Sequence, residues 1–189
     1  MYSTPAESLT DRFNRMDREK FGRVEGVTDH DFYTNSFHYP VWLQPTPMEK
    51  LNYEKDFPYY ASGGFINYCE YPCLQDNPKA LEAVWDYAYH IGIGYLGTNT
   101  PIDHCFVCGF QGDFEPTDEG FKCPECGNSD PDKCNVTKRT CGYLGNPVQR
   151  PMVHGRHEEI SHRVKHMAGE TGRVTLSDGE TREWFEDTK

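Results

Sequence analysis

The sequence predicts an α/β fold carrying a small four-cysteine ribbon in its second half. Three observations predict it. Helix-start signals followed by helical apolar spacing recur before residue 100, short aromatic stretches lie between them, and two Cys-x-x-Cys pairs follow Asp103.

Thr4-Pro5-Ala6-Glu7 is the first start signal, with Thr at N-cap, Pro at N1 and Glu at N3 of a capping box. Leu9, Phe13 and Met16 follow at helical spacing, and Gly22 stands where a helix would stop. Thr46-Pro47-Met48-Glu49 repeats the signal before a shorter helix. Asn77-Pro78 opens a third, with Leu81, Val84, Trp85 and Ala88 on one face and Gly92 beyond its end. Phe32-Tyr33, Val41-Trp42-Leu43 and Gly64-Phe65-Ile66 read as short strands. After the cysteine-rich segment, Arg139 to Pro151 is rich in turn residues, and His157 to Met167 reads as a last helix. The tail alternates Val174 and Leu176 before an Asp178-Gly179 turn, which suggests a hairpin. One tetrapeptide occurs twice, as Gly94-Tyr95-Leu96-Gly97 and Gly142-Tyr143-Leu144-Gly145.

Composition narrows the function. Lys plus Arg number 19 against 30 Asp plus Glu, a formal charge of −11, so a nucleic-acid polymer is an unfavourable partner. No apolar run approaches the roughly 18–20 residues that span a bilayer, and the N-terminus has no basic or apolar leader. The expectation is a cytoplasmic chain without a membrane partner, in which eight cysteines act as metal ligands or thiols rather than disulfides.

Cys105-Phe106-Val107-Cys108 and Cys123-Pro124-Glu125-Cys126 are two knuckles separated by fourteen residues, each followed by glycine. Two such turns place four thiolates around one ion, the tetrahedral cage that zinc prefers. A closed site of this kind holds structure and leaves no position for water; iron in a rubredoxin-like site and a metal-free ribbon are the alternatives. From Asp103 to Cys134 there are eight acidic residues and two lysines, so phosphate binding by the ribbon is disfavoured.

Downstream runs Thr137-Lys138-Arg139-Thr140-Cys141-Gly142-Tyr143-Leu144-Gly145, which on spacing alone is a strand ending in a glycine turn. Placed after this ribbon, Arg-x-Cys-Gly-Tyr-Leu-Gly resembles the signature of the anaerobic (class III) ribonucleotide reductases. The resemblance extends over Thr4-Pro5-Ala6-Glu7-Ser8, Ala61-Ser62-Gly63-Gly64-Phe65, Ala83-Val84-Trp85-Asp86-Tyr87, Gly97 to Asp103 and Arg163-Val164-Lys165-His166-Met167. It implies that Gly142 is a glycyl-radical site. A Cα radical flattens and shares spin with its flanking amides, which a side chain would hinder. It also implies that an activase using S-adenosylmethionine and a 4Fe-4S cluster installs the radical. The substrate implied is a ribonucleoside triphosphate, and Thr4, Pro5, Ala6, Glu7 and Ser8 correspond to the stretch that binds its phosphates. A helix start suits an anion, although a plain helix cap explains the same residues.

The implied division is 1–102 for the C-terminal part of a ten-stranded α/β barrel, 103–134 for the zinc ribbon and 135–153 for the radical loop. A terminal helix at 154–167 and an accessory tail at 168–189 complete it. None of Cys69, Cys73, Cys134 and Cys141 matches the family's hydrogen-abstracting cysteine. The expectation is therefore a reductase component, inactive alone, that works with an N-terminal reductase chain and forms a homodimer when complete. A replacement part for an oxygen-cleaved reductase and a non-catalytic zinc-ribbon module are the competing readings.

Overall fold

The computed structural model describes residues 9–74, 77–140, 143–150, 153–167, 173–175 and 181–183. In chain order its elements are α1 (Thr10–Phe21), α2 (Pro47–Glu54), β1 (Asn67–Glu70), α3 (Pro78–His90), β2 (Leu96–Asn99), β3 (Asp103–Cys105), β4 (Gln111–Gly112), β5 (Glu115–Thr117), β6 (Gly120–Lys122), β7 (Cys134–Asn135), β8 (Lys138–Thr140), β9 (Tyr143–Gly145), α4 (His154–His162), β10 (Arg173–Thr175) and β11 (Thr181–Glu183). They form a mixed α/β chain in two units. Of the described residues, one holds Leu43–Thr100 and those from Val164 onward; the other holds those from Leu9 to Trp42 and Pro101–Arg163. Among the described residues no helix is long and apolar enough to cross a membrane.

The first unit is built on a parallel pair. β1 and β2 run side by side from Asn67↔Leu96 to Glu70↔Asn99, and α3 makes the crossover between them. Alternation along β1 turns Cys69 toward the helices, where it joins Tyr71, Leu51 of α2, and Val84 and Ala88 of α3 in one core. Fully burying a side chain such as Leu51 or Val84 contributes about 1.5–3 kcal/mol. Burial pushes the Cys69 thiol up to about 12, so it stays protonated and inert. The end of β1 meets the segment after α4: the Glu70 N–H donates to His166 Nδ1 and the His166 N–H donates to the Glu70 carbonyl, each at 2.9 Å.

Both proline-marked starts in this unit form as expected. Thr46 caps α2 in a complete capping box, its hydroxyl accepting from the Glu49 N–H while the Glu49 carboxylate accepts from the Thr46 N–H. Asn77 caps α3 by accepting from the Ala80 N–H. The unit also buries an ion pair. Lys50 and Glu54, one turn apart on α2, are enclosed together, and the Asn67 amide donates to the second Glu54 oxygen at 3.0 Å.

Elsewhere the structure corrects the expected elements. The helix anticipated from Thr4 begins at Thr10 with Leu9 as an N-cap lacking a side-chain bond, and Thr4–Ser8 lie outside the described residues. Its buried residues are Thr10 and Asn14, while Phe13 and Met16 are half exposed. Polar bonds decide this. Arg18 donates to the Thr28 and His30 carbonyls and pairs with Asp31, and the Tyr33 hydroxyl donates to Asp17. They hold the segment after α1 against its polar side. α4 approaches closely too: a Cβ on Gly155 would lie 2.3 Å from the Asp11 Cβ.

No strand forms at Phe32-Tyr33, Val41-Trp42-Leu43 or Gly64-Phe65-Ile66. Phe32 and Trp42 instead join His30 and His162 in a ring cluster, with His30 and Trp42 centroids 4.0 Å apart. The last helix is displaced from His157–Met167 to His154–His162, because Arg163 turns extended and reaches across to the ribbon side of its unit. The tail hairpin forms through β10 and β11, with Asp178 and Gly179 outside the described residues.

Replacing Lys50 with Met should destabilise the chain by about 3–5 kcal/mol, because it leaves the Glu54 charge buried without its ammonium. Thr46→Ala should cost only about 1 kcal/mol through loss of the cap. Denaturant unfolding of both variants against the parent measures the difference.

Candidate metal centre and glycine hairpin

The ribbon forms because each Cys-x-x-Cys is a tight turn closed by its own backbone. The Gly109 N–H donates to the Cys105 carbonyl and the Gly127 N–H to the Cys123 carbonyl, each at 2.9 Å. Both glycines have positive φ, 82° and 71°, which explains glycine directly after each knuckle. β3 sits between β4 and β7, carrying Cys105, while β5 and β6 form a separate hairpin leading to Cys123. Phe114, Val136, Cys134 and the two inner cysteines make a small core.

These turns bring the Sγ atoms of Cys105, Cys108, Cys123 and Cys126 within 4.8 Å of one another. Cys105 to Cys126 and Cys108 to Cys123 are each 3.6 Å apart. A tetrahedral zinc with bonds of about 2.3 Å needs sulfur spacings of about 3.8 Å, so the four thiols fit such an ion with little adjustment. Two are buried and two exposed, which leaves the site at the surface of the ribbon. The Asn128 amide donates to Cys105 Sγ at 3.5 Å. Cys134, a fifth thiol opposite Cys105 in the β3–β7 register, donates to the Asp130 carbonyl at 2.9 Å and stands outside the group.

The thiols differ in acidity. Burial works against ionising Cys105, yet N–H groups of Cys108 and Val107 and the Asn128 amide outweigh it and hold the pKa down at about 6. At Cys108 the Phe110 N–H favours the thiolate, but desolvation and the other three thiols push the pKa up to about 12. Cys126 is also raised, with desolvation and Cys105 and Cys123 outweighing the Asn128 N–H. A metal would therefore meet a thiolate already formed at Cys105 and displace protons from Cys108 and Cys126.

The ribbon leads straight into an antiparallel hairpin. β8 and β9 pair as Lys138↔Gly145, Arg139↔Leu144 and Thr140↔Tyr143. Cys141 and Gly142, the two residues between them in sequence, lie outside the described residues. On the ribbon side, the buried Asp103 carboxylate accepts the Thr137 N–H and the Phe114 N–H, each at 2.8 Å, and pairs with Lys138. On the helix side, Arg163 donates to the Arg139 carbonyl at 2.7 Å and to Glu159, which also pairs with Arg156 inside α4. Tyr143 is held as well: its hydroxyl donates to the Asn146 carbonyl at 3.2 Å, and the Arg150 guanidinium lies 4.4 Å from the ring centroid.

Of the residues singled out in the sequence, the four ribbon cysteines are thus brought together. Gly142 and the Thr4–Ser8 stretch fall outside the described residues. Asp103, Lys138, Asn128 and Arg163 were not singled out as site residues. The available signals were the resembling runs that end at Asp103 and begin at Arg163, and Lys138, a cation just beyond a strongly acidic segment.

Chelator competition at about pH 6 and about pH 8 checks the metal assignment. Protons compete with zinc for the thiolates, so apparent affinity should fall as the pH falls, because Cys108 and Cys126 must lose their protons, and more steeply below about pH 6, where Cys105 is protonated too. Cys108→Ser should release the metal at chelator concentrations that the parent withstands.

The family profile for anaerobic ribonucleoside-triphosphate reductase matches residues 1–166. The anaerobic ribonucleoside-triphosphate reductase of Haemophilus influenzae is 56% identical over 167 residues, covering 88% of this chain and 24% of the relative. The Escherichia coli protein of the same name is 54% identical over 88% of this chain and 23% of its own length. That of Enterobacteria phage T4 is 51% identical over 88% of this chain and 27% of its own length. The chain thus spans about a quarter of the curated relatives it matches.

Proposed function

The chain belongs to the anaerobic ribonucleoside-triphosphate reductase family, and from that premise we propose that it is the glycyl-radical portion of such a reductase, with Gly142 as the radical site. The observation that carries this reading is the direct succession of a four-thiol cluster and a hairpin whose strands flank Gly142, in a family named for ribonucleotide reduction. The parallel β1–α3–β2 crossover supports the further reading that the first unit is part of a ten-stranded α/β barrel. The functional division at residues 102, 134, 153 and 167 follows from the same proposal.

The four cysteines would hold zinc, which supplies rigidity rather than catalysis, since a closed four-sulfur site leaves no position for water. In small zinc domains the metal contributes about 10–16 kcal/mol of apparent binding energy. That exceeds the roughly 1.5–3 kcal/mol from burying a side chain such as Phe114 or Val136, so the metal dominates the ribbon.

In the proposed reaction a radical-SAM activase takes one hydrogen atom from the Gly142 Cα. The glycyl radical then takes the hydrogen of a cysteine thiol in the rest of the reductase, whether on a companion chain or elsewhere in the same one. That thiyl radical abstracts the ribose 3′ hydrogen of a ribonucleoside triphosphate, and the 2′ hydroxyl leaves as water. Two electrons and two protons, supplied with an external reductant, balance the loss of water; the cysteine returns its hydrogen to C3′, and the thiyl radical so re-formed takes back the hydrogen of the glycine. Cys69 does not serve as the thiyl donor in this scheme, because it is packed against the helices. The Thr4–Ser8 stretch is proposed to receive substrate phosphates, and the complete enzyme to be a cytoplasmic homodimer.

Anaerobic EPR on the chain with the remainder of the reductase, the activase, a reductant and S-adenosylmethionine tests this. The expected result is a glycine-type doublet that disappears in Gly142→Ala. A zinc-loaded protein with an active activase and no doublet refutes it.

A further inference from the structure

We propose that Asp103 and Lys138 are positioning residues that fix the glycine hairpin to the metal ribbon, so that metal loading is felt at Gly142. The link to Gly142 rests on the radical reading above; the mechanical link does not.

The geometry begins at the metal ligand. Asp103 opens β3, two residues before Cys105, so a ligand and this carboxylate share one three-residue strand. The carboxylate is buried and both oxygens are used. Oδ1 accepts from the Thr137 N–H, and Oδ2 from the Phe114 N–H and the Lys138 ammonium. Thr137 and Lys138 are the residues through which the chain enters the hairpin. One side chain therefore grips the ribbon at Phe114 and the base of the hairpin at two adjacent points.

Lys138 completes the arrangement. Its ammonium also reaches Asp113 at 2.5 Å and lies 5.2 Å from the Phe121 ring centroid, so it ties β8 to the β4–β5 connection and to β6. Its own backbone pairs with Gly145 at the open end of the hairpin. With three residue pairs, β8–β9 is too short to define its own orientation; an isolated hairpin is marginal in water. The base must then be set from outside, and the polar contacts with Asp103 do so in a definite direction. Apolar anchoring by Val136 is less specific, because packing tolerates rotation that three hydrogen bonds to one carboxylate do not.

A buried carboxylate left without a partner is costly, so the three contacts to Asp103 support one another. In the closed form the hairpin takes its direction from β3, and β3 takes its direction from the metal at Cys105. Loss of metal would loosen β3, and the base of the hairpin with it.

The test uses the zinc-loaded chain combined with the remainder of the reductase, comparing the parent with Lys138→Met, Lys138→Arg and Asp103→Asn. Three quantities are read: zinc per chain, amide hydrogen exchange over residues 138–145, and the yield and hyperfine pattern of the EPR doublet. Lys138→Met should keep its zinc while the hairpin amides exchange about tenfold faster or more. The doublet should weaken by a similar factor, and Lys138→Arg should restore part of both. Chelating the metal should raise exchange in the parent but add little in Lys138→Met.

Unchanged exchange in zinc-loaded Lys138→Met overturns the clamp, whatever Asp103→Asn does to folding. Faster exchange with an undiminished doublet overturns the connection to Gly142. Faster exchange with no doublet even in the parent leaves the clamp standing and removes the radical reading instead.

Discussion

The four ribbon thiols lie within 4.8 Å of one another, so close that as thiolates they would repel strongly, and a divalent cation among them would reverse the sign of that interaction. The proposed zinc would make the ribbon of the second unit depend on this reversal. Its ribbon strands are two or three residues long, and its apolar core is built largely from the cysteines themselves with Phe114 and Val136. Neither supplies enough cohesion for a stable module. The unequal thiol acidities suit such a site: Cys105 is prepared as an anion, and Cys108 and Cys126 would release their protons on binding.

Within each unit, taken by itself, buried charge adds to the order that apolar area supplies. Asp103 with Lys138, Glu159 with Arg156 and Arg163, and Glu54 with Lys50 are three enclosed carboxylate nodes. Each joins residues distant in sequence or fixes a helix to its neighbours. Such pairs add little net stability compared with well-packed apolar groups, but they admit few alternative arrangements. That suits a chain with low mean hydropathy and many exposed aromatics, including Trp85, Tyr89 and Tyr95.

Local chemistry made part of this legible in the sequence. The two proline-marked helix starts at Thr46 and Asn77, the stops at Gly22 and Gly92, and the ribbon cysteines all rest on contacts within a few residues. The strands of the first unit were not legible. Asn67-Tyr68-Cys69-Glu70 and Leu96-Gly97-Thr98-Asn99 hold few β-branched residues, and they become strands because α2 and α3 cover one of their faces. The aromatic pairs at Phe32 and Trp42 suggested strands and formed a ring cluster instead, since rings bury equally well from turns. α1 misled in the opposite way: its apolar stripe is half exposed, and Arg18 and Tyr33 organise its polar side. The part played by Asp103 was not legible because its partners lie 11, 34 and 35 residues away.

The residue beside the proposed radical carries one more consequence. A phenol next to a carbon-centred radical is a nearby hydrogen donor and a route to premature quenching. Tyr143 is constrained against that role, because its hydroxyl hydrogen is engaged by the Asn146 carbonyl and its ring lies against Arg150. On the other side Gly145 leaves room for the ring, since a Cβ there would come within 2.8 Å of the hydroxyl oxygen. By having no side chain, the second glycine of the repeated tetrapeptide lets the phenol keep its hydrogen committed to Asn146, which would lengthen the life of a spin at the proposed radical site.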